Sequence, residues 1–184
     1  MAEHRFAMES DERLIELANK GDAEAFEALY YRYRDWVYRL AWRFTGDRDL
    51  SLDVLQETFM YLLKKLPKLE LRARMRTLLY PVVKHLALSA VHRKRRFISN
   101  DETVSEAPAP LVKDAESSRA ELAAALGGLP EEQREILLMR FVDGLALEEI
   151  AVALELASGT VKSRLYRALE TLREDGRVRK YFFE

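Results

Sequence analysis

An all-α fold of two small helical domains joined by a flexible linker is what the sequence predicts, and three observations carry that expectation. Apolar residues recur at helical spacing in almost every segment, and no long stretch alternates apolar and polar with the period of two that a half-buried strand requires. Hydrophobic residues make up 48% of the 184, with 7 Gly and 5 Pro, which is enough to build cores and too regular for a collagenous or low-complexity chain. Residues 97–117 change character, with Asp101, Glu102, Glu106, Asp114 and Glu116 set among Ser99, Ser105, Pro108 and Pro110. That polar, acidic stretch reads as a linker between a domain over 1–96 and a domain over 118–184. Fully extended, such a linker reaches roughly 70 Å, so the two domains need not touch.

The first long helix is expected to start at Asp22, a ready N-cap after Gly21. From there Phe26, Leu29, Tyr30, Tyr33, Val37, Leu40, Ala41 and Phe44 form one stripe that ends at Gly46, a residue suited to a left-handed helix end. A second helix is expected from about Asp49 to Leu66, carrying Leu52, Leu55, Phe59, Leu62, Leu63 and Leu66, with Pro67 to stop it. A third spans about Ala73 to Arg96 and holds Pro81, whose missing N–H should kink the rod unless the helix begins there. Beyond the linker four short helices are expected, over 118–126, 130–142 with Pro130 at the start, 147–154 and 158–174.

Thirty Lys and Arg against 31 Asp and Glu leave a net charge of -1, yet the charges are unevenly placed. Residues 61–96 hold 11 basic side chains against Glu70, whereas residues 1–30 sum to -5 and residues 97–118 to -4. With aromatic and His side chains interleaved, the basic segment points to nucleic acid; a solvated helix face is the plainer alternative. Several function classes fall away. The chain has no Cys, which excludes a disulfide framework and thiolate chemistry. His4, His85 and His92 have no metal-ligand spacing, and no Gly-rich phosphate loop or nucleophile motif is present, so neither a cofactor nor an enzyme is expected. The N-terminus lacks a secretory pattern, and no apolar run approaches the roughly 18 residues of a membrane span. A cytoplasmic protein without membrane insertion is the expectation.

Residues 147–169 carry the strongest motif. Ile150, Ala151 and Leu154 are spaced to pack one helix on Val161, Leu165 and Leu169 of the next, with Ala151 small enough for a close crossing, which is a helix-turn-helix pattern. That packing leaves Thr160, Lys162, Ser163, Arg164, Tyr166 and Arg167 largely outside the core, on a stretch without a single acidic residue from Thr160 to Leu169. Arg and Lys can read guanine edges or hold phosphates, and the hydroxyls add phosphate contacts.

Four blocks in order carry a family resemblance over nearly the whole chain. They are Leu17-Ala18-Asn19-Lys20-Gly21-Asp22-Ala23-Glu24-Ala25-Phe26-Glu27-Ala28-Leu29-Tyr30, Asp53-Val54-Leu55-Gln56-Glu57-Thr58-Phe59, the basic third helix, and Leu129-Pro130-Glu131-Glu132-Gln133-Arg134-Glu135 with the helix-turn-helix. The chain resembles the small bacterial RNA polymerase sigma factors of the extracytoplasmic-function group. The resemblance implies an alternative sigma factor whose partners are core RNA polymerase, promoter DNA and an anti-sigma protein or other regulator. It implies that Asp49, Asp53, Gln56 and Glu57 face the polymerase. Arg72, Arg74, Arg76, Lys84, His85, His92, Arg93, Lys94, Arg95 and Arg96 would hold the minus-10 strand. Thr160, Lys162, Ser163, Arg164, Tyr166 and Arg167 would read the minus-35 duplex. A sigma-like decoy that binds an anti-sigma protein without promoter DNA is the alternative.

The chain departs from the family pattern at two places. Leu50-Ser51-Leu52-Asp53 stands where an acidic cluster is usual, and Leu78, His85 and Ser89 stand where the strand-opening helix usually has Trp, Asn and Asp. Phosphorylation of Ser51 by a Ser/Thr kinase would return about -1.5 to -2 of charge to the first place, near a helix start that favours an anion. Ser51 is therefore a candidate switch, its plainer role being that of a helix-start residue.

Overall fold

The computed structural model describes Phe6, residues 8–98 and residues 115–178, with the side chains of 97–98 and 115–119 excepted. Residues 99–114 of the expected linker, and His4, lie outside the described residues. The chain divides into two compact units, Met1–Glu106 and Ala107–Glu184. Among the described residues the first holds helices α1 (Asp11–Asn19), α2 (Ala23–Thr45), α3 (Arg48–Lys65) and α4 (Met75–Ile98), and the second α5 (Ala115–Gly127), α6 (Glu131–Phe141), α7 (Leu147–Ala153) and α8 (Ser158–Glu174).

Helix α1 is an addition to the expected set. Ser10 caps it by accepting from the Arg13 amide at 3.3 Å, and it ends in a Schellman turn, with Gly21 at φ +91°. There the Gly21 and Asp22 amides reach Ala18 and Leu17 carbonyls at 3.0 and 3.1 Å. Asp22 at once begins α2, its Oδ1 accepting from the Ala25 amide at 3.1 Å. Arg32 of α2 ties the N-terminal segment down, donating to the Asp11 carboxylate at 2.6 Å and to the carbonyls of Phe6 and Glu9 at 3.2 and 2.9 Å. The Tyr33 hydroxyl donates to the other Asp11 oxygen. Burial, and then that neighbouring carboxylate, push the Tyr33 phenol well above its usual range.

Helix α2 is the centre of the unit and packs on α1, α3 and α4. Its buried stripe and its closure by Gly46 at φ +60° follow the sequence expectation. The core drawn from α2, α3 and α4 contains Leu29, Val37, Leu40, Val54, Leu62, Met75, Leu79, Tyr80 and Val83, each at most 2% exposed. Tyr30 and Phe26 set their rings edge-on to Phe59, at 4.8 and 6.4 Å. Helix α4 runs on through Pro81, which is exposed; the donor it lacks is the ordinary partner of the Thr77 carbonyl.

Two expectations for α3 are corrected. Its buried side is Ser51, Val54, Thr58, Phe59 and Leu62, while Leu52 and Leu63, read as core, face outward. The buried hydroxyls are matched locally: Thr58 donates to the Val54 carbonyl at 2.7 Å, and Ser51 to the Asp47 carbonyl at 2.6 Å. Ser51 is 0% exposed, with its Oγ also 2.8 Å from Thr45 Oγ1. A kinase has no access to that hydroxyl in the folded unit, and a phosphate there would displace the start of α3. Ser51 has the place and the bonds of a helix-start residue, and its burial speaks against the switch and its kinase.

In the second unit Ala125, Leu129, Leu137, Ala168, Leu172 and Val178 form one core, with Leu126, Leu165 and Leu169 packed against it. Leu165 and Leu169 thus pack on this cluster, while Ile150 and Ala151 of α7 and Val161 of α8 are buried as the helix-turn-helix pattern requires. Helix α7 begins where Glu149 reaches back to accept from the Ala146 amide at 2.7 Å. It ends in a second Schellman turn, Leu156 amide to Ala151 carbonyl at 2.9 Å and Glu155 amide to Val152 carbonyl at 3.3 Å. Glu155 occupies the left-handed position at φ +55°, where the first unit uses glycine.

Two helix ends yield stability predictions. Asp47 caps α3, accepting from the amides of Asp49 and Leu50 at 2.9 and 3.0 Å, and also takes the Lys94 ammonium of α4. Lys94, and then the Leu50 amide, hold its carboxyl below the usual carboxylate range. A depressed carboxyl stabilises fully above its ordinary value, near 4, and that support is lost as the pH falls through the lowered folded value. Asp47→Ala should cost about 1 kcal/mol, a fall in Tm of about 4–8 °C for a unit of this size. Asp47→Asn keeps the cap and should lose less, with a flatter acid limb in a thermal-melt series against pH. Glu155→Gly should raise stability by about 0.5–1 kcal/mol by relieving the left-handed position; a lower denaturation midpoint would show that the Glu side chain contributes more than the strain.

Candidate nucleic-acid interface

The outward side of α8 is fixed by what it buries. Val161, Ala168 and Leu172 point into the core, so the opposite side of the helix carries Ser163, Tyr166 and Arg167, with Tyr166 60% exposed. Lys162 lies on one flank and Thr160 and Arg164 on the other, so the six residues read from the sequence share a broad face rather than a narrow line. Ala157, at the N-cap, has no side chain to accept from the first-turn amides of α8. Ser163 Oγ donates to the Thr160 carbonyl at 3.0 Å. The fold also adds a carboxylate to a stretch that is acid-free in sequence. Glu132, from the first turn of α6, meets the Arg164 guanidinium at 2.7 Å, with Arg164 27% and Glu132 68% exposed. The Leu129–Glu135 block contains Glu132 in plain view, but a contact across 32 positions has no sequence signal.

The second cationic surface is α4 with the loop before it. Arg72 and Arg74 are exposed on that loop, and Arg76, in the first turn of α4, lies over the Trp36 ring at 5.6 Å. From Arg76 to Arg96 is roughly 30 Å of helix rise. The basic residues do not line one face of it. His85, His92 and Arg96 share the outer side with Pro81 and Leu88, while Lys84 and Arg95 turn to one flank and Arg93 to the other. Arg93 donates to Glu57 of α3 at 3.4 Å, and Lys94 reaches back to Asp47. Beside the outer side, Tyr61, Leu78, Pro81, Val82, His85 and Leu86 line an open, largely apolar cleft of about 380 Å³.

The loop itself is anchored from elsewhere. Asn19, the last residue of α1, donates through Nδ2 to the Leu69 carbonyl at 2.9 Å and accepts through Oδ1 from the Leu69 amide at 3.3 Å.

A third surface lies on α3. Asp49, Asp53 and Gln56 are exposed on one side of the helix, and Leu52, Met60 and Leu63, 45–47% exposed, share it. Glu57 sits at its edge, half-buried in the pair with Arg93. Exposed Leu and Met beside carboxylates make a face suited to a protein partner. The spacing of Leu52 and Leu63 matches that of core residues, so the sequence points to the polar half of this surface and not to the rest.

Comparison with known proteins supplies a frame for these surfaces. Residues 29–97 match the Sigma-70 region 2 family, and residues 119–172 match the family described as Sigma-70, region 4. The RNA polymerase sigma-H factor of Pseudomonas aeruginosa is 32% identical over 178 residues, covering 89% of this chain and 92% of that protein. The sigma-E factor of Escherichia coli K12, an extracytoplasmic-function RNA polymerase sigma factor, is also 32% identical, with the same coverage of 89% and 92%. In fold the chain is similar to the sigma factor RpoE of Bartonella quintana, solved in complex with the anti-sigma factor NepR. The TM-score is 0.60 at 23% identity, over 83% of this chain and 96% of that one.

Arg164→Ala and Arg167→Ala should each weaken duplex binding, by about 1–3 kcal/mol where the guanidinium is bidentate to a base. Arg164 should lose less, because its guanidinium already has a carboxylate partner that DNA must replace. Fluorescence anisotropy with promoter duplex reads both, and parent-like affinity in both variants would remove α8 from the interface. Neutralising pairs within Arg93 to Arg96 should lower affinity for all sequences and flatten the salt dependence by about 0.7–0.9 for each phosphate no longer neutralised. For Arg93 and Lys94 the change should be smaller, each standing next to a carboxylate before DNA arrives.

Proposed function

The chain belongs to the extracytoplasmic-function group of bacterial RNA polymerase sigma factors, which direct RNA polymerase core to promoters, and on that premise we propose how its surfaces divide the work. The face of α3 formed by Asp49, Asp53, Gln56, Leu52, Met60 and Leu63 docks on the core polymerase, with apolar burial standing in for part of the missing acidic cluster. The loop over 66–74 and the outer side of α4 hold the minus-10 strand once it is opened: Arg72, Arg74, Arg76, Lys84 and Arg93 to Arg96 supply backbone charge. His85 and His92, with the cleft between Tyr61 and Leu86, receive unstacked bases. The second unit enters the minus-35 major groove with α8, where Ser163, Tyr166 and Arg167 lie central and Thr160, Lys162 and Arg164 reach phosphates or base edges from the flanks. Duplex reading sets position on the promoter, and single-strand capture offsets the cost of unpairing, since the strand contacts exist only once the duplex has opened.

The observation that carries this reading is that exposed cationic surfaces on both units accompany a separate face of carboxylates and apolar side chains on α3. A decoy that only sequesters an anti-sigma protein needs neither the exposed Arg167 nor the basic loop. The domains are proposed as 1–96 and 118–184 with a linker over 97–117. No catalysis of its own is required, and the site of action is the cytoplasm, alongside DNA and polymerase. An anti-sigma protein, like the one bound to the similar Bartonella chain, is the regulator this reading calls for. Among the described residues no helix is long and apolar enough to cross a membrane.

The test combines the protein with sigma-free core polymerase and a promoter library. Transcription from a defined subset of promoters, lost in the Arg164→Ala/Arg167→Ala double variant, is expected. Failure both to bind core and to support transcription from any template would favour the decoy instead.

A further inference from the structure

Asn19, at the end of α1, holds the loop over 66–74, and it does so with both hydrogen-bonding groups of its side chain. The amide donates to the Leu69 carbonyl at 2.9 Å and accepts from the Leu69 N–H at 3.3 Å, closing a ring between positions 50 apart in sequence. Leu69 is buried, while Lys68, Glu70, Arg72 and Arg74 around it are exposed, so the loop is pinned at its centre and presents its charged side chains outward. Side-chain amides that satisfy one residue's N–H and C=O together fix its backbone in position as well as in direction.

We propose that Asn19 is a positioning residue for single-strand capture: through Leu69 it sets the loop that carries Arg72 and Arg74, without touching DNA or polymerase itself. The inference rests on the assignment of this loop to the minus-10 strand and deepens it. A loop ordered before the strand arrives has already met its conformational entropy cost, so its guanidiniums engage phosphates or bases without a further ordering step. The anchor is separable from folding. Helix α1 is held to α2 by the Arg32–Asp11 pair, by Tyr33, and by the buried Leu14, Ile15 and Ala18, none of which depends on Asn19. Its neighbours Lys20 and Glu16 pair with each other on the surface at 2.6 Å.

The experiment compares four full-length proteins, the parent, Asn19→Ala, Arg72→Ala/Arg74→Ala and the combination of all three substitutions, with Asn19→Asp as a fifth. Each is measured for affinity to fluorescent single-stranded DNA of mixed sequence, for affinity to core polymerase, and for its thermal midpoint. Asn19→Ala should weaken strand binding about fivefold and lower the thermal midpoint slightly, both in line with the loss of loop hydrogen bonds, and leave polymerase affinity at the parent value. In the Arg72→Ala/Arg74→Ala background the same substitution should change strand binding by less than about twofold, because the side chains it positions are gone. Asn19→Asp, which keeps the acceptor for the Leu69 N–H and loses the donor, should fall between parent and Asn19→Ala. Parent-like strand binding by Asn19→Ala, or a loss that adds in full to the arginine substitutions, overturns the inference while the assignment of the loop stands. A fall in thermal midpoint and polymerase affinity together with strand affinity overturns it in favour of a structural role. Parent-like strand binding by Arg72→Ala/Arg74→Ala is the separate result that removes the loop from the strand interface, and the inference with it.

Discussion

The first unit turns on the carboxylate of Asp47. It stands where α2 has just ended at Gly46 and α3 begins, and it accepts from two first-turn amides of α3 while holding the ammonium of Lys94 at the far end of α4. The side chain therefore ties α3 to α4 at the point where the chain leaves α2. The Asp47 carbonyl takes the Ser51 hydroxyl, and Thr45 approaches the same hydroxyl from the end of α2, so the polar groups at this corner are matched within a few residues. Such a junction tolerates little insertion, because lengthening the Gly46–Asp47 connection would misplace the cap, the buried serine and the α4 end together. The outer side of α4 is set by the opposite, buried side of Met75, Leu79, Tyr80, Val83 and Ala87, and the Lys94 pair adds to it at the helix end.

In the second unit the corresponding constraint is steric. Ala168 is fully buried, and its small side chain lets α8 lie close upon the core formed with α5 and α6. The Schellman turn between α7 and α8 then sets the direction in which α8 leaves, and the exposed arc of Ser163, Tyr166 and Arg167 follows from those two constraints. The three residues owe their placement to the helix that carries them. Their usefulness depends on apolar neighbours that never meet a ligand.

Much of this was legible in the sequence, and the residues show where legibility ended. Helices α2 and α8 announce themselves through uninterrupted stripes and, for α2, through Asp22 and Gly46 at its two ends. Helix α1 is nine residues long with a short stripe of Leu14, Ile15 and Ala18, too brief for periodicity to distinguish it from a loop. In α3 the period misled. The buried side includes Ser51 and Thr58, whose hydroxyls are matched by backbone carbonyls one turn earlier, and the apolar residues that dominate the pattern, Leu52 and Leu63, look outward. A hydrophobicity pattern records apolar character and not what covers it. Likewise Glu132 and Asn19 were present in the motif blocks, but their partners, Arg164 and Leu69, come from other parts of the chain, and only tertiary structure pairs them.

The placement of the tryptophans has an optical consequence. The chain contains 2 Trp, at positions 36 and 42, and both belong to α2. Trp36 is buried with the Arg76 guanidinium over its ring, and Trp42 is partly exposed beside Tyr38. Intrinsic tryptophan emission from this protein is thus a signal of the N-terminal unit alone, with one indole in a cation-perturbed interior and one near solvent. The helix-turn-helix unit has no tryptophan and is dark at the red edge of the absorption band, so a single indole introduced there could be excited and followed against a background of known origin.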